Sequence, residues 1–253
     1  MLVVNDLYRI PAYVISNENQ RWATSAIPNF KSVLTVTGSG DQALFYKLSG
    51  AEIVDTFDIS PNAGVIQDIK YVTITHTQTV ADYKKLLCQL YNTPNIMTIP
   101  QMHNIERFLT NASRKTIQHN NGCCQFHAGL DPICYSDNIP THSEYNTLKK
   151  LLNAPFKFIQ TDLETLSEKI SGKYDLINLS NIFDYCYNAQ TQSKILYDLA
   201  GHLNIGGHII YLPQMPRFNY KNVQIKHENV ELVYKNTIRK NRDDVIIVFQ
   251  RTR

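Results

Sequence analysis

The chain has 253 residues, of which 43% are hydrophobic, and its formal net charge is +3 at pH 7. This length supports one sizeable core and falls short of what two ordinary domains need, so we predict a single domain over residues 1–253. The lysines and arginines are scattered and form no extended basic block, which argues against nucleic acid as the main partner.

The N-terminal residues MLVVNDLYRIPAYVIS contain no basic segment, and Asp6, Arg9 and Pro11 interrupt the apolar ones. Neither a signal peptide nor a membrane span is therefore predicted, and the expected location is cytoplasmic. A reducing compartment would keep the five cysteines as thiols. The segment HNNGCCQFH, residues 119–127, combines imidazole and thiolate groups, but its spacing fits no zinc motif, so no metal site is predicted.

Short β-rich runs alternate with helical or mixed segments, which is typical of a parallel sheet covered on both faces. In chain order, the predicted strands are Val33–Thr37, Glu52–Ser60, Phe156–Asp162, Tyr174–Ser180 and His208–Pro213. A short helix, Gln42–Ser49, follows the first strand, and Glu231–Ile238 with Asp243–Arg251 predict an antiparallel hairpin. The predicted fold class is α/β: a Rossmann-like, doubly wound, mostly parallel sheet that ends in this hairpin.

Residues 61–155 separate the second and third predicted strands and form a largely helical insertion. Thr79–Tyr91 and Ser143–Asn153 have the apolar spacing of helices, whereas the centre shows no clear periodicity. An insertion at this point lies near the carboxyl ends of the strands, where open α/β sheets bind ligands. We therefore expect a cap on the substrate side; the alternative is a structural embellishment without ligand contact.

A glycine-rich loop follows the first predicted strand in the stretch VLTVTGSGDQAL. Gly38 and Gly40 permit a tight turn and a close approach of the backbone to a ligand. The spacing also satisfies the dinucleotide fingerprint, so the loop alone does not select a cofactor. Asp58, followed by Ile59, ends the second predicted strand, where a carboxylate can accept both hydroxyls of a ribose.

Two features favour S-adenosylmethionine over a nicotinamide dinucleotide. Asp41 directly follows the glycines, and its carboxylate would repel the pyrophosphate of NAD, whereas a sulfonium cofactor with a free amino group tolerates it. The predicted antiparallel hairpin also departs from the all-parallel dinucleotide fold. A nicotinamide-dependent oxidoreductase remains the least favoured alternative.

These residues carry a family resemblance. The stretch VLTVTGSGDQAL with FDIS resembles the first two motifs of class I S-adenosylmethionine-dependent methyltransferases. TDLETL resembles the adenine-side acidic motif of that superfamily, and HLNIGGHIIYL resembles its turn into the fifth strand. Within the superfamily, NENQRW, GSGDQAL and LSNIFDY resemble a subgroup related to the aminocarboxypropyl transferases of betaine-lipid synthesis. The resemblance implies S-adenosylmethionine as cofactor and transfer of its methyl group or of its amino-acid arm.

The resemblance also assigns roles around the cofactor. It places Gly38 and Gly40 beside the methionine and ribose, and Asp58 with Ile59 at the ribose. It places Asp162 and the backbone of Leu163 at the adenine. Ser180 and Asn181 are expected near the reacting carbon, and Asp41 near the amino group. Trp22 is either a lid over the site or part of the core. Asp162 has a second interpretation, as the N-cap of the helix that follows it.

The candidate catalytic residues are Asn181, Asp184 and Tyr185, because the last two are the ionisable groups nearest the expected reaction centre. The alternative for Tyr185 is packing, and for Asp184 it is solvation. The expected acceptor is a small molecule held under the insertion. Contact with an anionic membrane is less favoured and would use the basic residues Arg239, Lys240, Arg242, Arg251 and Arg253. A non-catalytic module that only binds the cofactor is a further alternative.

Overall fold

The structure is a computed structural model. It describes residues 7–93, 95–124, 126–127, 136–185, 188–213, 224–227, 230–239 and 245–253. Within these ranges the backbone alone is described at residues 127, 136, 185, 224–227, 230, 236 and 239.

The described chain forms a central eight-stranded sheet and a small two-stranded one. The strands are β1 (Ala12–Tyr13), β2 (Ser32–Val36), β3 (Ile53–Asp58), β4 (Phe126–His127), β5 (Lys157–Gln160), β6 (Tyr174–Asn178), β7 (Leu203–Tyr211), β8 (Gln224–His227), β9 (Val230–Arg239) and β10 (Val245–Arg251). The order in the large sheet is β5-β3-β2-β6-β7-β10-β9-β8. The first five of these strands run parallel, and β10, β9 and β8 each pair antiparallel with their neighbours. The predicted mostly parallel sheet with an antiparallel hairpin is confirmed.

Helices cover both faces of this sheet. They are α1 (Gln20–Ser25), α2 (Asp41–Leu48), α3 (Pro61–His76), α4 (Val80–Asn92), α5 (Pro100–Ile105), α6 (Asn111–His119), α7 (His142–Leu151), α8 (Leu166–Lys169) and α9 (Ala189–Ala200). Neighbouring strand residues point to opposite faces. Val33 therefore packs in one core cluster with Ala23 of α1 and Tyr46 of α2, whereas Leu34 packs in another with Leu196 of α9. This is the doubly wound arrangement that the alternating pattern predicts.

The fifth predicted strand begins earlier than the sequence suggested. We expected it to start at His208, after a turn at Gly206-Gly207, but β7 already begins at Leu203. Tyr174 pairs with Leu203 and Leu176 with His208, so β7 bulges between these pairs. Gly206 has a φ of +84°, which suits a bulge. The glycine pair therefore interrupts the register of one strand without ending it.

Three helices within residues 61–155 were not predicted, namely α3, α5 and α6, and neither was the edge strand β8. α3 is buried on almost all sides, so its apolar residues do not form a single stripe. α5 and α6 are short, and α6 is mostly polar, so they carry little apolar repeat. Thr110 nevertheless caps α6 by accepting a hydrogen bond from the backbone N–H of Ser113 at 3.2 Å. That capping signal was readable in the sequence. The helices at Thr79–Tyr91 and Ser143–Asn153 were predicted and correspond to α4 and α7.

The insertion holds the N-terminal segment in place. β4 of the insertion pairs in parallel with β1. The side-chain Nδ2 of Asn138 donates to the backbone oxygens of Ser16 and Glu18 at 2.7 Å each, and its Oδ1 accepts from the backbone N–H of Gln20 at 3.0 Å. Asn138 is buried, so these bonds are shielded from competing water. The described part of the insertion thus fixes the backbone on either side of Glu18.

No helix within the described ranges has both the length and the apolar character needed to span a bilayer. The tip of the basic hairpin, which includes Lys240 and Arg242, lies outside the described residues. Arg251 contributes to the fold, since its guanidinium donates to the backbone oxygens of Ala200 and Leu203 at 3.3 and 2.6 Å.

Candidate functional site

A cavity of about 400 Å³ lies where the chain reverses direction across the sheet. The chain runs outward from β2 to β3 and β5, then returns to β6 on the other side of β2. Ligands bind at such a switch point, at the carboxyl ends of the strands. The cavity, hereafter the strand-end cavity, is lined by Ile10, Pro11, Ala12, Tyr13, Ser16, Asn17, Val36, Gly38, Ser39, Gln42, Asp58, Ile59, Ser180, Asn181 and Ile182. Its volume falls in the range of small-molecule and cofactor sites.

The two glycines of the loop after β2 have different functions. Gly38 lines the cavity with a φ of +51°, and its N–H donates to Asp58 Oδ2 at 3.0 Å. Gly40 has a φ of +81° and is not among the lining residues. A Cβ added to Gly40 would lie 2.9 Å from the Cα of Gln67 in α3. Gly40 therefore permits close packing of the loop on α3, whereas Gly38 forms the cavity wall.

We expect Gly40→Ala to lower the free energy of unfolding by about 2 to 4 kcal/mol, because the methyl group adds left-handed backbone strain and a clash with α3. Gly50→Ala is the matched control, since Gly50 has a φ of +98° but an added Cβ would meet no atom within 4 Å. That variant should lose only about 1 kcal/mol. Urea unfolding of both variants measures the difference. Equal losses would contradict the packing function of Gly40.

Asp58 ends β3 and presents a carboxylate to the strand-end cavity. Oδ2 accepts from the Gly38 N–H and Oδ1 from the Ser60 N–H, each at 3.0 Å. Burial raises the pKa of Asp58 to about 6, although these backbone hydrogen bonds oppose the shift. Each carboxylate oxygen has a second lone pair for a ligand hydroxyl. The arrangement can therefore bind a diol.

Asp41 does not occupy the position that we expected. It is buried, and its carboxylate forms an ion pair with Lys70 of α3, which is also buried. Asp41 Oδ2 additionally accepts from the Ser16 N–H at 2.8 Å and from Ser39 Oγ at 2.7 Å. Burial lowers the pKa of Lys70, and the charge of Asp41 opposes that shift. The expected contact of Asp41 with a cofactor amino group is at odds with this geometry: Asp41 links the glycine loop, the N-terminal segment and α3.

Ser180 follows β6 in a left-handed conformation, with a φ of +50°. Its N–H donates to Asn178 Oδ1 at 2.8 Å, its carbonyl accepts from the Leu212 N–H at 2.7 Å, and its hydroxyl donates to Glu18 Oε1. Such strained residues persist only where the surroundings fix them, and they are frequent at functional sites. Ser180 and Asn181 both line the strand-end cavity, as the sequence predicted for the end of the fourth strand.

Glu18 is a site residue that sequence reasoning missed. It belongs to NENQRW, which carries part of the subgroup resemblance, but no role was assigned to the glutamate, because a single glutamate in a polar stretch gives no periodic signal. Oε1 accepts the hydroxyl of Ser180, whereas Oε2 is buried and has no hydrogen-bond partner among the described residues. Burial raises the pKa of Glu18 to about 7, and the negative charge of Asp184 adds to the shift. Glu18 is therefore a partly buried acid that titrates near neutral pH.

The raised pKa of Glu18 makes stability depend on pH. The folded pKa lies above the unfolded value, so the bound proton stabilises the folded state at low pH and this contribution is lost as the pH rises through about 7. We expect the wild-type protein to lose about 2 kcal/mol of unfolding free energy relative to Glu18→Gln between about pH 4 and about pH 8. Denaturant titrations at both pH values test this. Parallel pH profiles of the two proteins would contradict it.

Of the remaining predicted catalytic residues, Asp184 is not among the described residues that line the strand-end cavity. Asp184 belongs to a 3-10 turn, Ile182–Tyr185, and accepts the hydroxyl of Tyr211. The side chain of Tyr185 lies outside the described residues. Trp22 is partly buried against the core cluster of α1 and α2 and is not among the lining residues. This position agrees with the core interpretation of Trp22.

Asp162 and Ile59 meet in an adjoining cavity of about 380 Å³. Ile59 also lines the strand-end cavity, so it is common to both. The Asp162 carboxylate accepts from the backbone N–H and the hydroxyl of Thr165 at 2.8 and 2.7 Å. Asp162 thus stabilises the turn before α8 and is exposed, but it is not the N-cap of that helix, which is Thr165. Leu163 is buried in the core below this cavity wall.

The segment at residues 119–127 is only partly described. Cys123 is exposed, Cys124 is buried, and burial raises the pKa of the Cys124 thiol to about 12. Gln125 and the side chain of His127 lie outside the described residues. Among the side chains that the structure describes, no group of three His, Cys, Asp or Glu residues is arranged to hold a metal ion.

No protein-family model and no curated protein matches the chain. Among solved structures, the chain is similar to the rRNA methyltransferase aviRa from Streptomyces viridochromogenes, with 12% identity, a TM-score of 0.47 and coverage of 99% of this chain and 91% of that chain. It is similar to the ribosomal protein L11 methylase from Lactobacillus delbrueckii subsp. bulgaricus, with 14% identity, a TM-score of 0.37 and coverage of 92% and 75%. It is also similar to the N-methyltransferase NodS from Bradyrhizobium japonicum WM9 in complex with S-adenosylhomocysteine, with 8% identity, a TM-score of 0.39 and coverage of 93% and 84%.

These similar structures overturn the expectation about the acceptor. We expected a small molecule and argued against nucleic acid. By name, however, one of the similar proteins acts on rRNA and another on a ribosomal protein. Activity and acceptor have to be argued from the site itself.

Proposed function

We propose that the protein is a transferase that binds S-adenosylmethionine in the strand-end cavity and transfers the methyl group. The observation that carries this proposal is the convergence of Gly38, Asp58 and Ser180 at the switch point of the sheet. A cofactor with a ribose, a sulfonium and an amino-acid arm requires a diol acceptor, an open backbone turn and acceptors for an ammonium group. This cavity combines these features.

The residues fit the cofactor in a specific order. Asp58 would hold the ribose hydroxyls through its second lone pairs, and Ile59 would lie between ribose and adenine, because it lines both cavities. Asp162 and the backbone of Leu163 would face the adenine from the adjoining cavity. Gly38 and Gln42 would lie beside the amino-acid arm. The bound cofactor supplies a carbon that is activated by positively charged sulfur.

The chemistry required of the chain is therefore positioning. Ser180 and Asn181 would orient the acceptor at the end of β6, and the N-terminal segment 10–17 would exclude water from that side of the cavity. A strained residue held by three hydrogen bonds gives the rigidity that such positioning needs. No described residue of 61–155 lines the strand-end cavity, so the cap function of the insertion remains a prediction.

The sheet also supports this cofactor over a nicotinamide dinucleotide. In the dinucleotide fold, a sixth parallel strand continues the sheet. Here the position after β7 is taken by β10, which runs antiparallel.

Transfer is tested by mass spectrometry of the by-products. The wild-type protein and Asp58→Ala are incubated with S-adenosylmethionine and with separate RNA and protein fractions of a cell extract. We expect S-adenosylhomocysteine to accumulate with the wild type and not with the variant. Methylthioadenosine formed only by the wild type would instead indicate transfer of the aminocarboxypropyl arm. Absence of both by-products with every fraction, despite cofactor binding, would contradict transfer.

A further inference from the structure

Five buried oxygen atoms on or beside the glycine loop have no hydrogen-bond partner among the described residues: Glu18 Oε2, Gln20 Oε1, Thr37 Oγ1, Gln42 Oε1 and Gln67 Oε1. A buried acceptor without a donor is costly, so such atoms need an explanation. Gln67 lines a different cavity, and the hydroxyl of Thr37 can also donate. The remaining three oxygens, of Glu18, Gln20 and Gln42, are acceptors when Glu18 is ionised, and a ligand that brings several donors would satisfy them.

One of these acceptors lies on the strand-end cavity, and the other two belong to side chains that hydrogen-bond to its lining residues. Gln42 lines it directly. Glu18 is bonded to the hydroxyl of Ser180, and Gln20 Nε2 donates to Ser16 Oγ at 2.8 Å. Ser180 and Ser16 are both lining residues. Gln42 is thus at the cavity surface, and Glu18 and Gln20 each lie directly behind a lining side chain. This is the side of the cavity where the amino-acid arm of the proposed cofactor would lie.

No positively charged group among the described residues faces Glu18. The groups that face it from the packed elements are Ser180 after β6, Gln20 of α1, Asp184 of the 3-10 turn and Tyr46 of α2. None of these groups is a cation, and the lining residues that the structure describes include no lysine, arginine or histidine. Lys70, which is buried behind the loop, is already paired with Asp41. A positively charged ligand would therefore supply the charge that the described residues around Glu18 lack.

We propose that Glu18, together with Gln42, binds a primary ammonium group, and that this group is the amino group of the cofactor's amino-acid arm. This inference rests on the proposed function and adds the residue that selects the arm. An ammonium group has three donors and no acceptor, which matches the unpaired oxygens. A hydrogen bond between an ammonium and a carboxylate is about twice as strong as a neutral one. Asp41, for which the sequence predicted this contact, is occupied by Lys70, Ser16 and Ser39.

Calorimetric titrations of the wild type and Glu18→Gln with three ligands test which group of the amino-acid arm Glu18 binds. S-adenosylhomocysteine carries both the amino group and the carboxylate, decarboxylated S-adenosylmethionine keeps the amino group alone, and methylthioadenosine lacks both. We expect Glu18→Gln to weaken the first two about 10-fold to 100-fold. The affinity of methylthioadenosine for the variant should be within about twofold of its affinity for the wild type. Glutamine keeps the size of the side chain and can still accept the hydroxyl of Ser180.

Two results would overturn the inference: unchanged affinity of Glu18→Gln for S-adenosylhomocysteine, or an equal loss for methylthioadenosine, which would indicate a structural role. Failure of the proposed function is distinguishable, because the wild type would then bind none of the three ligands. A pH series gives a second readout. The affinity of the wild type for S-adenosylhomocysteine should fall below about pH 7 more steeply than its affinity for methylthioadenosine, and Glu18→Gln should abolish that excess.

Discussion

The Lys70→Met variant is expected to lose about 3 to 5 kcal/mol of its unfolding free energy. Lys70 and Asp41 are both about 1% exposed, and their ion pair joins α3 to the start of α2. Methionine fills a similar volume but leaves the Asp41 carboxylate buried with only the donors of Ser16 and Ser39. A buried charge without a counter-charge is costly, so this loss should exceed that of any surface ion pair in the protein. Chemical denaturation at neutral pH measures it.

The double variant Asp41→Asn with Lys70→Met is the control for this prediction. Replacing both charges removes the unpaired carboxylate, so most of the lost stability should return. Lys31→Met is a second control, because Lys31 pairs with Glu52 through side chains that are both 68% exposed. It should change stability by less than about 1 kcal/mol. If Lys70→Met were as stable as Lys31→Met, Asp41 would not depend on Lys70, and its availability to a ligand would have to be reconsidered.

The Asp58→Ala variant is expected to bind S-adenosylhomocysteine about 100-fold more weakly than the wild type. Two hydrogen bonds from ribose hydroxyls to a carboxylate would be lost, and hydrogen bonds to charged groups contribute about 1.5 to 3 kcal/mol each. Unlike Glu18→Gln, this change should weaken methylthioadenosine equally, because both ligands contain the ribose. Calorimetric titration of each ligand measures the loss.

Asp58 also accepts backbone hydrogen bonds from Gly38 and Ser60, so the variant has to be shown to fold. Its unfolding transition and circular dichroism spectrum serve this purpose. Asp162→Ala is the matched comparison, because Asp162 is exposed and lies in the adjoining cavity. We expect that variant to lose no more than about tenfold in affinity. If the Asp58→Ala protein folds and binds S-adenosylhomocysteine as tightly as the wild type does, Asp58 does not bind the ribose.

The sheet was predictable because its strands carry the strongest local signals. β2, β3 and β6 are short, largely buried and rich in apolar residues, and a glycine or serine (Gly38, Ser60 or Ser180) stands two residues after the end of each. Apart from the early start of β7, strand boundaries differ by one or two residues, as for β5, which is Lys157–Gln160 where Phe156–Asp162 was predicted. α6 escaped prediction because its fold depends on capping and on packing against α3, which no apolar repeat records.

The site was predictable where a residue follows a strand and was not where a long-range contact decides. Asp58 ends β3 and Ser180 follows β6, so the topology alone places them at the cavity. Asp41 directly follows the glycine loop, but its carboxylate forms an ion pair with Lys70, which is 29 residues later in the chain. Glu18 reaches Ser180 across 162 residues, and Asn138 fixes the backbone beside it across about 120. No local pattern encodes such pairs.

The most direct measurement is a calorimetric titration of the wild-type protein with S-adenosylhomocysteine, with NADH titrated in parallel. The strand-end cavity, with Gly38, Asp58 and the unpaired acceptors of Glu18 and Gln42, predicts saturable binding of S-adenosylhomocysteine with one site per chain and no binding of NADH. Binding of NADH with no response to S-adenosylhomocysteine would contradict the account and would return the glycine loop to the dinucleotide alternative.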